Sequence, residues 1–176
     1  MSVAIRSAML EDAAAVAAIY ARHVLNGVAT YDTAPPSDAA FREKIASVSA
    51  SGWPFLVAEE HDEILGYAYA TQFRDRPAYA YACENSIYVA AGRAHRGIGR
   101  NLMNALIDAA TVFGFRQMVA VIGGADPTSI AFHGSLGFEE RGRLKALGWK
   151  SDRWLDNVYM QLELGDGAGS RPDPRR

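Results

Sequence analysis

Two groups of residues in this chain could do chemistry together. One is Glu84, an acid at the head of the β-branched and aromatic run Ser86-Ile87-Tyr88-Val89. The other, about 13 residues on, is the basic turn His95-Arg96-Gly97-Ile98-Gly99-Arg100. Glycines let a turn backbone approach a ligand with no Cβ in the way. The helix that follows presents unpaired N–H groups and the positive end of its dipole to an anion, and arginine adds charge that does not titrate away. The physical inference is a phosphate or pyrophosphate cradle, with a carboxylate on the strand that feeds it. It is not the dinucleotide fingerprint, because Leu102 occupies the place of the third glycine. Nor is it a nucleoside-triphosphate loop, because no Gly-Lys-Ser/Thr follows.

Three further groups could take part. His133 can change its charge state near neutrality. The loop Arg74-Asp75-Arg76 offers an arginine, which binds carboxylates through two parallel bonds. Cys83 lies beside Glu84 and reads as a small core residue. A lone cysteine excludes an intrachain disulfide, and with no clustered Cys/His the sequence proposes no metal site. A net charge of −2 and a pI near 6.1 argue against a nucleic-acid surface. No apolar run is long enough for a membrane span, and the N-terminus lacks a signal-peptide pattern. The expected location is the cytoplasm.

The elements that must position these groups follow from periodicity. Val3 to Arg6 alternates as a short strand, and Glu11 to Leu25 has the apolar spacing of a helix that Asn26-Gly27 stops. The prolines of Thr30 to Pro36 enforce an extended loop. Ser37 caps a second helix over Asp38 to Ser49. Phe55 to Ala58 and Ile64 to Ala70 are strands, and a loop through Pro77 leads to the strand bearing Glu84. A long helix runs from Arg100 to Phe113 and Met118 to Ile122 is a buried strand. Asp126-Pro127 opens a short helix to Leu136, as an N-cap followed by proline at the first helical position. Glu139 to Lys145 and Trp154 to Leu164 are the last strands. The 176 residues make one domain over 1–164, and the Gly- and Pro-rich stretch 165–176 reads as a disordered tail.

Order and motifs together resemble the GNAT superfamily of N-acetyltransferases. Gly97 and Gly99 match its acetyl-CoA loop, although Ala94 stands where Gln or Arg is usual and Arg93 and Arg96 flank it. A second signature reads Asp126-Pro-Thr-Ser129-Ile-Ala-Phe-His133-Gly-Ser-Leu-Gly137-Phe138, with Asp for the usual Asn and His for the usual Tyr. That histidine is similar to the phosphinothricin acetyltransferase branch. So are Val119 to Gly123, the Tyr31 to Pro35 loop, the Arg74 to Tyr79 loop, Gly148-Trp149-Lys150 and Trp154-Leu155-Asp156.

The resemblance implies an α/β GNAT fold, a mixed, mostly antiparallel sheet of about six or seven strands flanked by about four helices. It implies an acetyl-CoA-dependent N-acetyltransferase that acetylates the α-amine of a small amino-acid-like compound, of the phosphinothricin or methionine sulfoximine or sulfone type, directly in a ternary complex. Glu84 would be the base and His133 a proton donor to the leaving sulfur. Ile87, Tyr88 and Val89 would pair with the pantetheine arm. His95, Arg96, Gly97, Ile98, Gly99 and Arg100 would hold the phosphates, with Asp126, Ser129 and Ser135 nearby. Arg74, Asp75, Arg76, Glu84, Asn85 and Ser86 would bind the acceptor. A homodimer is implied, with the Tyr31 loop and Trp149 and Trp154 near its interface. Ala80 stands where relatives often carry another arginine, which bears on the identity of the amine. The rival readings are a peptide N-terminal acetyltransferase and a non-catalytic acyl-CoA-binding module.

Overall fold

The structure, a computed structural model, describes residues 3–93 and 97–173. The expected alternation of elements is present. Strand β1 (Ala4–Ser7) precedes helices α1 (Ala13–Asn26) and α2 (Asp38–Ala50), then β2 (Phe55–Glu60), β3 (Glu63–Gln72) and β4 (Ala82–Val89). Helix α3 (Ile98–Phe113), β5 (Gln117–Gly123), α4 (Pro127–Gly134), β6 (Glu139–Lys150) and β7 (Arg153–Glu163) complete it. Among the described residues the strands form one seven-stranded sheet, ordered β1-β2-β3-β4-β5-β7-β6. Every neighbouring pair is antiparallel except β4 and β5. The α/β fold expected from the sequence is thus the observed one.

Side chains alternate between the two faces of a strand, and here that alternation builds two separate cores. On one face Ala68, Ala70 and Cys83 pack under Leu102, Met103 and Leu106 of α3. On the other, Phe55, Tyr67 and Tyr69 pack under Val16 of α1 and Phe41 and Ile45 of α2. Within β4, Ile87 and Val89 join the first core and Tyr88 the second. Glu84, in phase with Tyr88, therefore projects on the α1/α2 face, whereas Asn85 projects on the α3 face.

The expected strand boundaries shift by one or two residues elsewhere and by more in one place. Strand β6 runs to Lys150, five residues past the expected end, because Ser151 and Asp152 take left-handed conformations (φ 53° and 55°) and close a two-residue hairpin from Lys150 to Arg153. The lengthened hairpin seats the Tyr31 loop. A Cβ on Gly148 would lie 2.0 Å from the Tyr31 ring, so only glycine lets the ring rest there. The Tyr31 hydroxyl bonds Asn157, and the buried Lys150 ammonium donates to the Thr30 carbonyl at 2.8 Å. Beyond the last strand, where the sequence suggests disorder, residues 165–173 fold back on the body. Asp166 pairs with Arg116 at 3.3 Å, and the Tyr81 hydroxyl donates to the Asp173 carbonyl at 2.7 Å.

Candidate active site

The site begins where two strands part. The parallel pairing of β4 with β5 covers three residue pairs, Ala82 with Gln117, Cys83 with Met118 and Glu84 with Val119, and stops there. Strand β4 continues beside β3 through the pair Val89 with Gly66. The Ala90 N–H donates to the Leu65 carbonyl of β3 and the Ala82 carbonyl accepts from Phe73, so even-numbered residues of β4 turn their peptide groups toward β3. Odd-numbered residues turn theirs the other way, as the Tyr81 carbonyl does in accepting from Arg116. Above Glu84 the peptide groups of Ile87 and Val89 consequently face the gap that β5 has left, and those of Tyr88 do not. Of the three residues expected to line a pantetheine arm, two have backbone polarity to offer it.

That gap opens into a groove of about 660 Å³. Its walls are Ile87 to Arg93 of β4 and its continuation, Gly97 to Arg100 at the start of α3, and Asp126, Thr128, Ser129 and Phe132 of α4. Gly97 is the N-cap of α3 in the left-handed conformation (φ 77°), so the helix starts two residues earlier than the periodicity suggests. Ile98 is buried and presents only backbone. Arg100 is steadied by Ser135, whose hydroxyl accepts from its guanidinium at 2.9 Å. Ser135 thus stands behind the groove, and Asp126 spends its carboxylate capping α4 through the Ser129 N–H at 3.0 Å. His95 and Arg96 lie outside the described residues. The left-handed glycine, the open helix start and a fixed arginine form a cradle suited to phosphate groups.

On the opposite face of β4, Glu84 is two-thirds covered: its side chain keeps 33% exposure. Burial pushes its carboxyl above the ordinary range, while Arg74 and then Lys44 pull it back. The Arg74 guanidinium lies 3.9 Å from Glu84 Oε2 and also rests on the Phe73 ring, 4.2 Å from its centroid. Lys44 comes from α2 and sits over Tyr69, at 4.6 Å. Asp75 and Arg76 occupy the same exposed loop as Arg74. A base with a raised pKa between two cations can take a proton and can attract an anionic substrate.

Between the faces lies a nook of about 60 Å³, lined by Asn85, Ser86, Ile87, Ala120, Gly123, Ser129 and His133, among others. Asn85 and His133 are 7% and 4% exposed. The Asn85 amide donates to the Val119 carbonyl at 3.2 Å, and its Oδ1 lies 3.3 Å from His133 Nε2. His133 Nδ1 is 2.8 Å from the Ser129 carbonyl and 3.4 Å from the Ser129 hydroxyl. Both ring nitrogens expected to serve proton transfer are therefore engaged inside the protein. Burial also pushes the ring's pKa down, against the Ser129 carbonyl.

Three contributors escaped sequence reasoning. His23 of α1 lines the groove and donates from Nε2 to the Val89 carbonyl at 3.1 Å. Ala29 lines both groove and nook, held there by the anchored Tyr31 loop. Lys44 reaches Glu84's neighbourhood from a surface helix. None carries a local motif.

An acetyltransferase (GNAT) domain model matches residues 5–159. The phosphinothricin N-acetyltransferase of Alcaligenes faecalis is 40% identical over 164 residues, covering 93% of this chain and 83% of that protein. The L-methionine sulfoximine/L-methionine sulfone acetyltransferase of Pseudomonas aeruginosa is 36% identical over 173 residues, covering 98% and 100%. The crystal structure of a phosphinothricin acetyltransferase from Sinorhizobium meliloti in complex with AcCoA superposes with a TM-score of 0.96 at 44% identity, covering 99% of this chain and 95% of that one.

Proposed function

Because the chain belongs to the GNAT acetyltransferase family and is an acetyl-CoA-dependent N-acetyltransferase, we propose that it acetylates the α-amine of a small amino-acid-like acceptor by direct transfer in a ternary complex. The observation that carries this reading is the division of labour across β4. The phosphate cradle and groove lie on the α3/α4 side, while Glu84, flanked by Arg74 and Lys44, lies on the α1/α2 side. Donor and acceptor would meet through the gap where β5 leaves β4. The relatives named for phosphinothricin and methionine sulfoximine support an acceptor that carries an anionic group beside its amine.

Glu84 accepts a proton from the acceptor's ammonium, directly or through water, and so frees the nitrogen lone pair. Acetyl-CoA, when bound, supplies the thioester carbonyl and a thiolate leaving group. An N–H of Ile87 or Val89, aimed into the gap, stabilises the oxygen as its charge grows. The C–N bond forms and the C–S bond breaks. The nitrogen's second displaced proton passes to the sulfur, so the products are the acetamide and free CoA thiol. We assign His133, engaged at both nitrogens, to the wall of the nook and not to this last proton. Arg74 is assigned to the acceptor's carboxylate with Ser86, Asp75 and Arg76 around it, and Asn85 is treated below.

The two cradle glycines serve different ends. Gly97 needs its left-handed backbone, which costs an ordinary residue roughly 1–2 kcal/mol. Gly99 does not; a Cβ there would lie 3.6 Å from Phe132 and 3.7 Å from Val89, so larger side chains enter the groove between them. Gly99→Val should therefore weaken acetyl-CoA binding by roughly tenfold or more, equivalent to about 1.4 kcal/mol, with little change in melting temperature. Gly97→Val should lose both affinity and stability. Calorimetric titration with CoA alongside thermal melts decides it; unchanged affinity in a folded Gly99→Val protein refutes the assignment of this groove.

We further read the protein as a cytoplasmic homodimer. Leu144, Leu147, Trp149 and Trp154 are exposed along the β6–β7 hairpin, whose outer strand is an open sheet edge. Sedimentation analysis tests this directly. For the activity as a whole, a panel of amino acids, amino-acid analogues, plain amines and short peptides with acetyl-CoA, read by free-thiol release, is the decisive experiment. Preference for peptides, or no thiol release with any amine, would overturn the reading.

A further inference from the structure

Asn85 is out of place by the logic of its strand. Its neighbours on the same face, Cys83 and Ile87, both belong to the apolar core under α3, and an aliphatic side chain would suit the position. A buried amide left unpaired forfeits its hydrogen bonds to water with nothing in return, so an amide kept here has its partners supplied. It has two, and they come from different elements: the Val119 carbonyl of β5 at 3.2 Å and the His133 ring of α4 at 3.3 Å. Val119 is also the last residue of β5 that pairs with β4. The Asn85 side chain thus sits at the fork of the two strands and ties each branch to α4.

The donors and acceptors can be counted through this chain. A carbonyl only accepts, so the Asn85 NH₂ must face Val119, which turns Oδ1 to His133. Oδ1 also only accepts, so Nε2 must bear the hydrogen. The Ser129 carbonyl, 2.8 Å from Nδ1, accepts as well, so the full set of contacts is met only by a ring with a hydrogen on each nitrogen, and Asn85 favours that form. From other parts of the chain Asn85 and Phe138 meet the ring, and Ala120, Val121 and Ile122 of β5 line the nook with it; no charged group among the described residues shifts its titration. Glu84, one residue away in sequence, projects on the opposite face.

We propose that Asn85 is a positioning residue for acetyl transfer: it fixes the His133 ring against the nook and ties β4 to β5 at the fork, which sets where the Ile87 peptide faces the gap. This rests on the reading of the gap as the transfer site. Ile87 is two residues beyond Asn85 on the same side of the strand, so a shift at the fork moves the candidate oxyanion donor directly. The nook, shaped on one side by the His133 ring, changes with it.

The test separates this role from a structural one and from the proposed activity. Long-range ¹H–¹⁵N correlation spectra identify the tautomer and titration of His133, assigned with His133→Gln, and need no turnover. Asn85→Asp, which places a carboxylate against the same nitrogen, should raise the pH at which His133 titrates by roughly one to three units. Asn85→Leu, matched to the apolar face, should fold, lower the pH at which His133 titrates and lower kcat roughly a hundredfold, the cost of a misplacement of about an ångström, with the amine KM little changed. If Asn85→Leu does not fold, the Asn85→Asp spectra still decide. His133 signals and kcat indifferent to Asn85→Asp overturn the proposal. Absence of any wild-type turnover would instead sink the activity and leave the spectra to judge the ring.

Discussion

Glu84→Gln is expected to lower kcat by ~10²–10⁴-fold, the usual contribution of a positioned general base, while acetyl-CoA affinity stays at its wild-type value. Glutamine keeps the size and much of the hydrogen bonding of glutamate but cannot take the proton. Affinity for the donor is spared because Glu84 lies across β4 from the groove. The pH profile adds a signature. Burial raises the Glu84 pKa, with Arg74 and Lys44 opposing, and the reactive form is the carboxylate. The wild-type rate should therefore fall as pH drops through a value above the ordinary carboxylate range. In Glu84→Gln that limb disappears, and the rate should follow only the free-amine fraction, climbing toward the amine's own pKa. The deficit is thus largest at low and neutral pH and shrinks in alkali. Steady-state rates across pH, paired with calorimetric titration of acetyl-CoA, check all three features. A variant with wild-type kcat throughout would place the base elsewhere or in bulk water.

Arg74→Ala is expected to separate amino acids from amines. If the guanidinium pairs with an α-carboxylate, its removal should weaken transition-state binding of carboxylate substrates by roughly 2–5 kcal/mol, which is a loss in kcat/KM of about thirtyfold to several thousandfold. Part of that loss is the penalty of an orphaned, desolvated anion. For the decarboxylated analogue of the same substrate the change should be small. A complication follows from the geometry: Arg74 is 3.9 Å from Glu84 and helps hold its pKa down. Deleting it raises that pKa further, so the acid limb moves to higher pH for both substrates. Comparing the two well above that limb leaves only the carboxylate effect. Arg74→Lys should recover little, because an ammonium lacks the two-pronged geometry. Equal losses for both substrates would make Arg74 a structural partner of Glu84 and leave carboxylate recognition to Lys44 or to another group.

Much of this enzyme is determined by its sequence alone. The alternation of periods 2 and 3.6 marks each strand and helix, and Ser37 and Asp126 cap their helices as their positions suggest. Local chemistry of this kind is legible because a cap, a glycine turn or a proline acts within a few residues of itself. The glycine turn and the strand carboxylate, proposed above as phosphate cradle and base, were legible for the same reason, each being carried by a contiguous stretch. What the tertiary structure decided is which side of the sheet each group serves. Neighbours Glu84 and Asn85 look interchangeable as acceptor ligands in a linear reading. Strand alternation sends one to the cation-flanked pocket under α1 and α2 and buries the other at the fork with β5. The same alternation removes the Tyr88 peptide from the gap and leaves those of Ile87 and Val89 in it. His23, Ala29 and Lys44 enter the site from elements far away in sequence, and no spacing rule links them to it. The fork itself exists only because β5 pairs with β4 for three residues and then diverges, a matter of pairing between distant segments and not of any residue's own preference.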